Sequence, residues 1–314
     1  MSKEDDTMLA KRGFVPVVGL IDDDRVRVFR SSFSKDGETE NLFVYGFVLL
    51  TERYVVICDT LLGPEDMETE LEQVREYLRG RRLLIINSHA DWDHTWGNGY
   101  FRGTFLAPVI AHERCRERML SAEAQEALRE YQQQFACFHN VELVPPTLTF
   151  SDRMTINCDD MTLELFHAPG HQPDHIAVWI PEIRLLLAFD AVEDPFPSLA
   201  DAESVPVMFA TLERLQALQP AHMLCCHGEK NDPALITRNL AYFQELERRC
   251  QQVLAQQQVD EQTLEDAVRS VHFPYEEAIA GGSEQISHGY YNEAHTRNIR
   301  LMVQYLMGQK KQTD

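Results

Sequence analysis

The chain has 314 residues, of which 44% are hydrophobic and 25% are charged, a composition ordinary for a folded globular protein. This length suggests about two structural units, or one large domain with an extension. Lys and Arg number 29 and Asp and Glu number 50, so the formal net charge is −21. Nucleic acids and anionic membranes are therefore disfavoured as partners, because both bind clustered basic residues. A small-molecule substrate stays compatible, since a local pocket or metal can invert the field.

The chain carries no sign of a membrane or secreted location. No apolar run approaches the roughly 18–20 residues of a membrane-spanning helix, and the longest runs, 43–50 and 183–189, have the length of strands. The first residues are polar and acidic, unlike a secretory signal. The 7 cysteines are scattered and odd in number, which does not suit a disulfide framework. We expect a cytoplasmic protein with reduced thiols.

The first half of the chain predicts a group of strands followed by alternating helices and strands. Residues 1–15 are expected to be a flexible N-terminus. The predicted strands, rich in Val, Ile, Phe and Tyr, are 17–21, 26–29, 43–50, 54–58, 83–86 and 108–111. A helix is expected from 63–66 to Gly80, and a second one over 113–135 that breaks near Ser121.

The second half predicts another β-rich block and then a helical tail. Its predicted strands are 147–150, 154–156, 162–166, 176–180, 184–189 and 222–226. An amphipathic helix is expected over 207–218, and a polar helical pattern runs from 232 onward. We therefore predict a catalytic domain over 16–235 and a C-terminal helical extension over 236–314 that covers or flanks the site.

The residue types that carry chemistry are concentrated in one segment after the predicted strand 83–86. His89, Asp91, Asp93 and His94 form a His-x-Asp-x-Asp-His pattern. Such nitrogen and carboxylate groups converge on one point in a loop, and a divalent metal is the usual reason to concentrate them. The alternative for the segment alone is an acidic, solvated turn. The apolar strand before it and the Thr-Trp-Gly-Asn-Gly turn after it favour the metal site.

Three later ligand-type residues each follow an apolar strand. They are His171 in Pro-Gly-His, Asp190 after the run 185–189, and His227 in Cys-His-Gly. In layered α/β proteins, strand ends collect at one edge, where binding sites form. We therefore expect these three side chains to serve the same site as the His89–His94 segment.

Taken together, these motifs resemble the metallo-β-lactamase-fold hydrolase superfamily, which includes glyoxalase II-type thioesterases, lactonases and flavodiiron proteins. The family order is an Asp ending an early strand, then His-x-His-x-Asp-His, then His, Asp and His. The matching Asp is Asp59 in Val-Val-Ile-Cys-Asp-Thr, and the similarity covers roughly residues 15–230. The resemblance implies an α/β (α+β) fold, a four-layer αββα sandwich with a C-terminal helical extension and with metals at one edge between the two sheets.

Two divalent metal ions are implied by this resemblance. The implied ligands are His89, Asp91 and His171 for the first ion, Asp93, His94 and His227 for the second, and Asp190 as the bridge. Asp59 is implied to orient the His89–His94 segment, called the ligand segment below, without touching metal. The alternative role of Asp59, a buried capping residue, has nearly the same consequence.

The sequence departs from the family at Asp91, where most members have His. An oxygen ligand shifts the preference toward iron or manganese relative to zinc, although geometry and supply decide in the cell. Flavodiiron proteins also place a carboxylate at this position and hold iron. Residues 236–314 lack the length and the strand–helix alternation of the flavodoxin-like domain of those proteins. Zinc stays the favoured metal, with iron or manganese as alternatives.

The resemblance implies a hydrolase in which two ions, about 3.5–4 Å apart, hold a bridging hydroxide that attacks an ester-like centre. Asp93 is the implied catalytic residue, which orients this nucleophile or accepts its proton. A small thioester or lactone is the favoured substrate. Two alternatives stay open, namely an iron-dependent redox enzyme similar to flavodiiron proteins or sulfur dioxygenases, and a non-catalytic metal-binding member.

Candidate substrate contacts lie beside the ligand segment and in the tail. In glyoxalase II-like enzymes, C-terminal helices cover the active site, so Tyr290, Tyr291 and His295 are candidates here, with helix packing as the alternative. Trp96 is a further candidate, with packing under the ligand segment as its alternative. Apolar residues over 301–306 suit a homodimer contact or docking on the catalytic domain.

Overall fold

Strands and helices alternate along the chain in the computed structural model, which describes residues 11–34, 42–103, 106–229, 231–257 and 259–313. The chain forms two compact units. The first contains the described residues up to His167 together with Val178–Glu182, and the second contains Ala168–Ala177 and the described residues from Ile183 onward. None of the described helices has the length and apolar character needed to cross a membrane.

Seven strands of the first unit form one β-sheet in chain order. They are β1 (Lys11–Val17), β2 (Val26–Ser34), β3 (Leu42–Leu50), β4 (Tyr54–Cys58), β5 (Arg82–Ile86), β6 (Val109–His112) and β7 (Leu148–Phe150). The first four strands pair antiparallel, and β4 to β7 pair parallel. The helices of this unit are α1 (Pro64–Val74), α2 (Trp92–Thr95), α3 (Glu113–Met119) and α4 (Ala122–Gln134).

A second sheet contains β8 (Arg153–Asn157), β9 (Thr162–His167), β10 (Ile176–Ile180), β11 (Leu185–Leu187) and β12 (His222–Leu224). Within the first unit β8 and β9 pair antiparallel, and within the second unit β11 and β12 pair parallel. The helices of the second unit are α5 (Ser204–Ala217), α6 (Ala234–Gln256), α7 (Leu264–Ser270), α8 (Tyr275–Ala278) and α9 (His288–Thr313).

The central strands of the first unit are buried on both faces. Phe47, Val48, Ile57 and Ile85 have no exposed surface. Such continuous apolar runs are typical of sheets that are covered on both sides. Because β4 and β5 are held in a buried sheet, their ends fix the positions of the polar residues that follow them, Asp59 after β4 and the His89–His94 segment after β5.

Some predicted elements are confirmed in detail. The strand 54–58 coincides with β4, and the predicted break near Ser121 separates α3 from α4. The Ser121 side chain accepts a hydrogen bond from the backbone N–H of Ala124 and so caps α4. The predicted helix ending at Gly80 is α1 followed by a short 3-10 helix, Arg75–Leu78.

The beginning of the chain corrects two predictions. The strand predicted at 17–21 is wrong, because the strand is β1 (Lys11–Val17), and the flexible N-terminus predicted over 1–15 is wrong for residues 11–15. Residues 1–10 lie outside the described residues. β1 is an edge strand, where Pro16 is tolerated, and its basic residues obscure the apolar alternation on which the prediction relied.

The predicted C-terminal helical extension corresponds to α6–α9, which lie in the second unit with α5, β11 and β12. The domain boundary predicted between 235 and 236 falls inside α6 (Ala234–Gln256). α6 and α9 pack against each other, and the Tyr242 hydroxyl lies 2.9 Å from Nδ1 of His295.

One buried acid in α1 has no evident role in this architecture. Glu70 is fully buried, and within the described part of the chain its two carboxylate oxygens have no hydrogen-bond partner. Burial raises the pKa of the Glu70 carboxyl well above its usual value, and the nearby charge of Asp66 raises this pKa further. The folded state therefore favours the protonated acid.

We predict that Glu70→Met increases the free energy of unfolding by about 1–3 kcal/mol at pH 8, the usual cost of a buried polar group without partners. The native stability falls as pH rises above about 4.3, the usual Glu pKa, because only the unfolded state then releases the proton freely. The gain should therefore be smaller at pH 5. Urea unfolding at both pH values measures it. The exposed Glu68→Met is the control, and an equal gain at both pH values would contradict the prediction.

Candidate metal centre

The His-x-Asp-x-Asp-His segment lies directly after β5 and runs into α2. Asp91 occupies the N-cap position of α2, and Asp93 and His94 lie in its single turn. His89 and His94 are fully buried, and their ring centroids are 4.2 Å apart. Because β5 is a buried strand and α2 begins only a few residues after Ile86, the segment turns sharply and brings the two imidazoles together.

Asp59 organises both imidazoles from the end of β4. One of its carboxylate oxygens accepts the backbone N–H of Ser88 at 2.7 Å, and the other accepts the Ser88 hydroxyl at 2.7 Å. This second oxygen also lies 2.8 Å from Nδ1 of His94, and the Ser88 Oγ lies 2.9 Å from Nδ1 of His89. Since the Ser88 hydroxyl donates to Asp59, it accepts the Nδ1 proton of His89. Both rings therefore carry their proton on Nδ1 and present Nε2 as a lone-pair donor.

The Nε2 atoms of the two histidines face carboxylate oxygens. His89 Nε2 lies 3.4 Å from Asp91 Oδ2, and His94 Nε2 lies 3.6 Å from Asp93 Oδ1. Two ligand atoms that are each about 2.1 Å from a tetrahedral ion stand about 3.4 Å apart. The donor set of the first unit, two imidazole nitrogens and two carboxylates, thus fits divalent metal ions in both chemistry and spacing.

An arginine that the sequence analysis does not single out contacts Asp91. Arg118 lies in the last turn of α3, and its Nη2 donates to Asp91 Oδ1 at 2.7 Å. The side chains of Arg118 and Asp91 are 32% and 25% exposed. Asp91 is therefore held at one oxygen while its other oxygen faces His89.

The second unit brings together the remaining predicted ligands around Asp190. This residue lies in the 3-10 turn that follows β11, and its backbone N–H donates to His175 Nε2 at 3.1 Å. Asp190 Oδ2 lies 3.7 Å from His171 Nε2 and 3.4 Å from His227 Nε2. One carboxylate oxygen within ligand spacing of two imidazoles fits the bridging role that the family resemblance implies for Asp190.

Glu193 is a second functional candidate that sequence reasoning misses. It is fully buried, and its Oε1 lies 3.5 Å from His171 Nδ1, while Ser198 O accepts from the same nitrogen at 3.2 Å. The Tyr291 hydroxyl donates to Glu193 Oε2 at 2.8 Å. Burial, together with the charge of Asp190, raises the pKa of Glu193 to about 7. The donor atoms of His171, Asp190 and Glu193 lie within 4.8 Å of one another, and the only sequence signal is the spacing Asp-Ala-Val-Glu.

Most of the predicted substrate contacts are packed side chains. Trp96 is buried against Trp92, Tyr131 and Phe138, with ring centroids 5.1–5.4 Å apart. These contacts favour the packing alternative for Trp96.

Of the three candidate substrate contacts in the C-terminal extension, two are buried and one is exposed. Tyr291 is buried and bonds Glu193, and His295 is buried between Tyr242 and the backbone oxygen of Phe273. Tyr290 is 42% exposed, so its role as a substrate contact stays a prediction.

Each of the two units thus contains part of the predicted ligand set. The first unit brings together His89, Asp91, Asp93 and His94 around Asp59. The second unit brings together His171, Asp190 and His227.

Comparison with known proteins gives a family match over most of this region. Residues 40–227 match the sequence model of the Metallo-beta-lactamase superfamily. This range contains Asp59, the ligand segment and every other predicted metal ligand.

Two relatives of known name share part of the sequence. A protein of Aspergillus versicolor named "Putative transcription factor avaE" is 28% identical over 218 residues, which are 60% of this chain and 61% of that protein. The "Linear primary-alkylsulfatase" of Pseudomonas sp. (strain ATCC 19151) is 27% identical over 92 residues, 27% of this chain and 17% of that protein. Both matches span less than two thirds of the relative's length.

Solved structures show the same fold. A metallo-beta-lactamase from Pontibacter korlensis is 18% identical with a TM-score of 0.59, and the match covers 74% of this chain and 99% of that one. A metallo-beta-lactamase family protein from Thermus thermophilus is 21% identical with a TM-score of 0.56, and the match covers 81% and 89% of the two chains. The predicted α/β fold with a C-terminal helical region is confirmed.

We predict that Asp59→Asn weakens metal binding by about 10–100-fold, the usual effect of losing a partner that orients metal ligands. The Asp59 carboxylate accepts three hydrogen bonds, from the Ser88 N–H, the Ser88 hydroxyl and His94 Nδ1, and an amide replaces one of its two accepting oxygens by an NH2 donor. The imidazoles of His89 and His94 then lose their common anchor. Competition between the full chain and a chromophoric zinc chelator measures the affinity.

The matched control is Asp159→Asn. Asp159 also has a positive φ, 75° against 64° for Asp59, but its side chain is 46% exposed and pairs with Arg53. This variant should bind zinc as the unmodified chain does. Unchanged affinity in a folded Asp59→Asn variant would contradict the orienting role.

Proposed function

Because the chain belongs to the metallo-beta-lactamase superfamily, we propose that it is a metal-dependent hydrolase of small ester-like substrates, with thioesters or lactones favoured. The observation that carries this proposal is the arrangement of donors. In each unit, imidazole Nε2 atoms face a carboxylate oxygen at 3.4–3.7 Å. This spacing suits ligands that share a divalent ion.

We assign the predicted ligands to one dinuclear centre. In it, His171 completes the set of His89 and Asp91, and His227 completes the set of Asp93 and His94. Asp190 would contribute to both metal positions, and its Oδ2 atom, which lies near Nε2 of both His171 and His227, supports this role. The order of these residues along the chain, which is that of the superfamily, is the second support.

Divalent ions, when bound, supply Lewis acidity toward the scissile carbonyl and lower the pKa of a bound water toward neutrality. The chain's own residues would do the rest. Asp93 is mostly buried beside His94, where its carboxylate can accept a hydrogen bond from the attacking water and take up its proton. Asp59 and Ser88 hold the proton of the His89 and His94 imidazoles on Nδ1, so that Nε2 of each ring keeps its lone pair for a metal ion.

A second candidate function is an iron-dependent redox enzyme of the same fold. Asp91 is the observation that favours it, because its oxygen replaces a nitrogen ligand and oxygen donors suit iron better than zinc. Elemental analysis after anaerobic purification separates the two candidates. Zinc in a colourless protein would exclude the redox function, and stoichiometric iron would favour it.

We predict that Asp93→Asn lowers kcat by about 10²–10⁴-fold, the usual contribution of a positioned proton acceptor. The assay uses the full chain reconstituted with zinc, manganese or iron, against a thioester, a lactone, a phosphodiester and a β-lactam. An alkyl sulfate is added because the Pseudomonas relative is named an alkylsulfatase. Metal content is measured in every preparation.

The control for this test is Asp152→Asn, an exposed carboxylate of the same unit, which should leave the rate unchanged. A fully metal-loaded chain that hydrolyses no member of the panel would contradict the hydrolase proposal. A rate unchanged by Asp93→Asn would contradict the role of Asp93.

A further inference from the structure

The contact between Arg118 and Asp91 concerns the one ligand position at which this chain departs from its family. Asp91 Oδ1 accepts from Arg118 Nη2 at 2.7 Å, and Asp91 Oδ2 lies 3.4 Å from His89 Nε2. The two oxygens of one carboxylate therefore face two different groups. A 2.7 Å bond between a guanidinium and a carboxylate is a short, charge-assisted hydrogen bond.

The fold supplies this arginine from a neighbouring element. β5 leads into the ligand segment, and β6, its parallel neighbour, leads into α3. The register Ile86↔Ile110 fixes where both segments leave the sheet. Arg118 in the last turn of α3 then reaches across to Asp91 at the start of α2. The backbone of Asp91 is held as well, since the Thr95 hydroxyl donates to its carbonyl oxygen at 3.1 Å.

A carboxylate at a ligand position differs from an imidazole in two respects. It has two equivalent oxygens, so it can rotate or bind through both, and it carries a negative charge. Arg118 opposes both differences. Its bond to Oδ1 leaves Oδ2 facing His89, and its guanidinium, which stays charged at all ordinary pH values, offsets the carboxylate charge.

We propose that Arg118 is a positioning residue for the metal centre, which makes Asp91 act as a single-oxygen ligand in place of the family's histidine. The pair Asp91–Arg118 then replaces one neutral imidazole, with one donor atom and no net charge. This inference rests on the proposed function only in that it requires a metal to be bound at Asp91.

The first test measures metal affinity and ligand geometry in the full chain. Zinc affinity is measured by chelator competition, and the visible absorption spectrum of the cobalt(II)-loaded chain reports how the ligands are arranged. Arg118→Met should lower zinc affinity by about 10–100-fold and alter the cobalt spectrum. Arg118→Lys, which keeps a charged hydrogen-bond donor for Asp91 Oδ1, should recover part of the affinity. Since a partly exposed ion pair adds little to folding stability, these variants should remain folded.

The second test asks whether Arg118 acts through Asp91. In an Asp91→His chain, which has the family's usual ligand, the additional Arg118→Met substitution should change zinc affinity by less than about 2-fold, because no carboxylate remains to be held. Asp91→Asn is a second background, which keeps the shape of the side chain and removes its charge. The effect of Arg118→Met should shrink there as well.

Three outcomes would overturn the inference. One is unchanged affinity and an unchanged cobalt spectrum in Arg118→Met. Another is that Arg118→Met causes an equal loss of affinity in the unmodified, Asp91→His and Asp91→Asn backgrounds, since Arg118 would then act on the site without Asp91. The third is an unmodified chain that retains no metal, which overturns the proposed function too. A chain that binds metal in an Arg118-dependent way and hydrolyses nothing would contradict the hydrolase proposal alone.

Discussion

The position of a single proton on each of three imidazoles is the constraint on which the candidate site depends. A neutral histidine donates to a metal through one nitrogen while the other nitrogen carries the proton, and an oxygen that accepts this proton fixes the tautomer and the orientation of the ring. Ser88 and Asp59 provide these acceptors for His89 and His94, and the backbone oxygen of Ser198 provides one for His171. These oxygen atoms orient each ring so that its other nitrogen, Nε2, faces a carboxylate oxygen of a predicted ligand.

The acceptors of the first unit lie at the ends of buried strands. Asp59 follows β4 with a positive φ of 64°, a backbone conformation that Asp adopts more readily than most residues. Ser88 follows β5, which pairs parallel with β4, so the two polar residues leave the sheet side by side. A largely apolar pair of strands therefore fixes the distance between an anchor and the ligands it orients, and the proposed hydrolysis needs that fixed distance.

The order of strands and ligand motifs could be predicted from the sequence because both depend on local patterns. The run 54–58 is continuously apolar, and the segment from His89 to His94 is dense in ligand-type residues. Ser88, Arg118 and Glu193 could not be found in this way, because each acts on a partner that only the fold brings close. β1 could not be predicted because Pro16 and the basic residues of the strand interrupt the apolar pattern, although an edge strand accommodates them. The burial of Tyr291 likewise depends on a contact with Glu193, 98 residues away in the sequence.

We propose that imidazole and carboxylate donors of this chain hold divalent ions in a common centre. Anomalous diffraction from a crystal grown with excess zinc tests this claim most directly. We expect two strong peaks per chain, with Nε2 of His89 and His94 within about 2.2 Å of different peaks and an oxygen of Asp190 next to both. Ordered side chains of His89, His171 and His227 with no anomalous peak among them would contradict it.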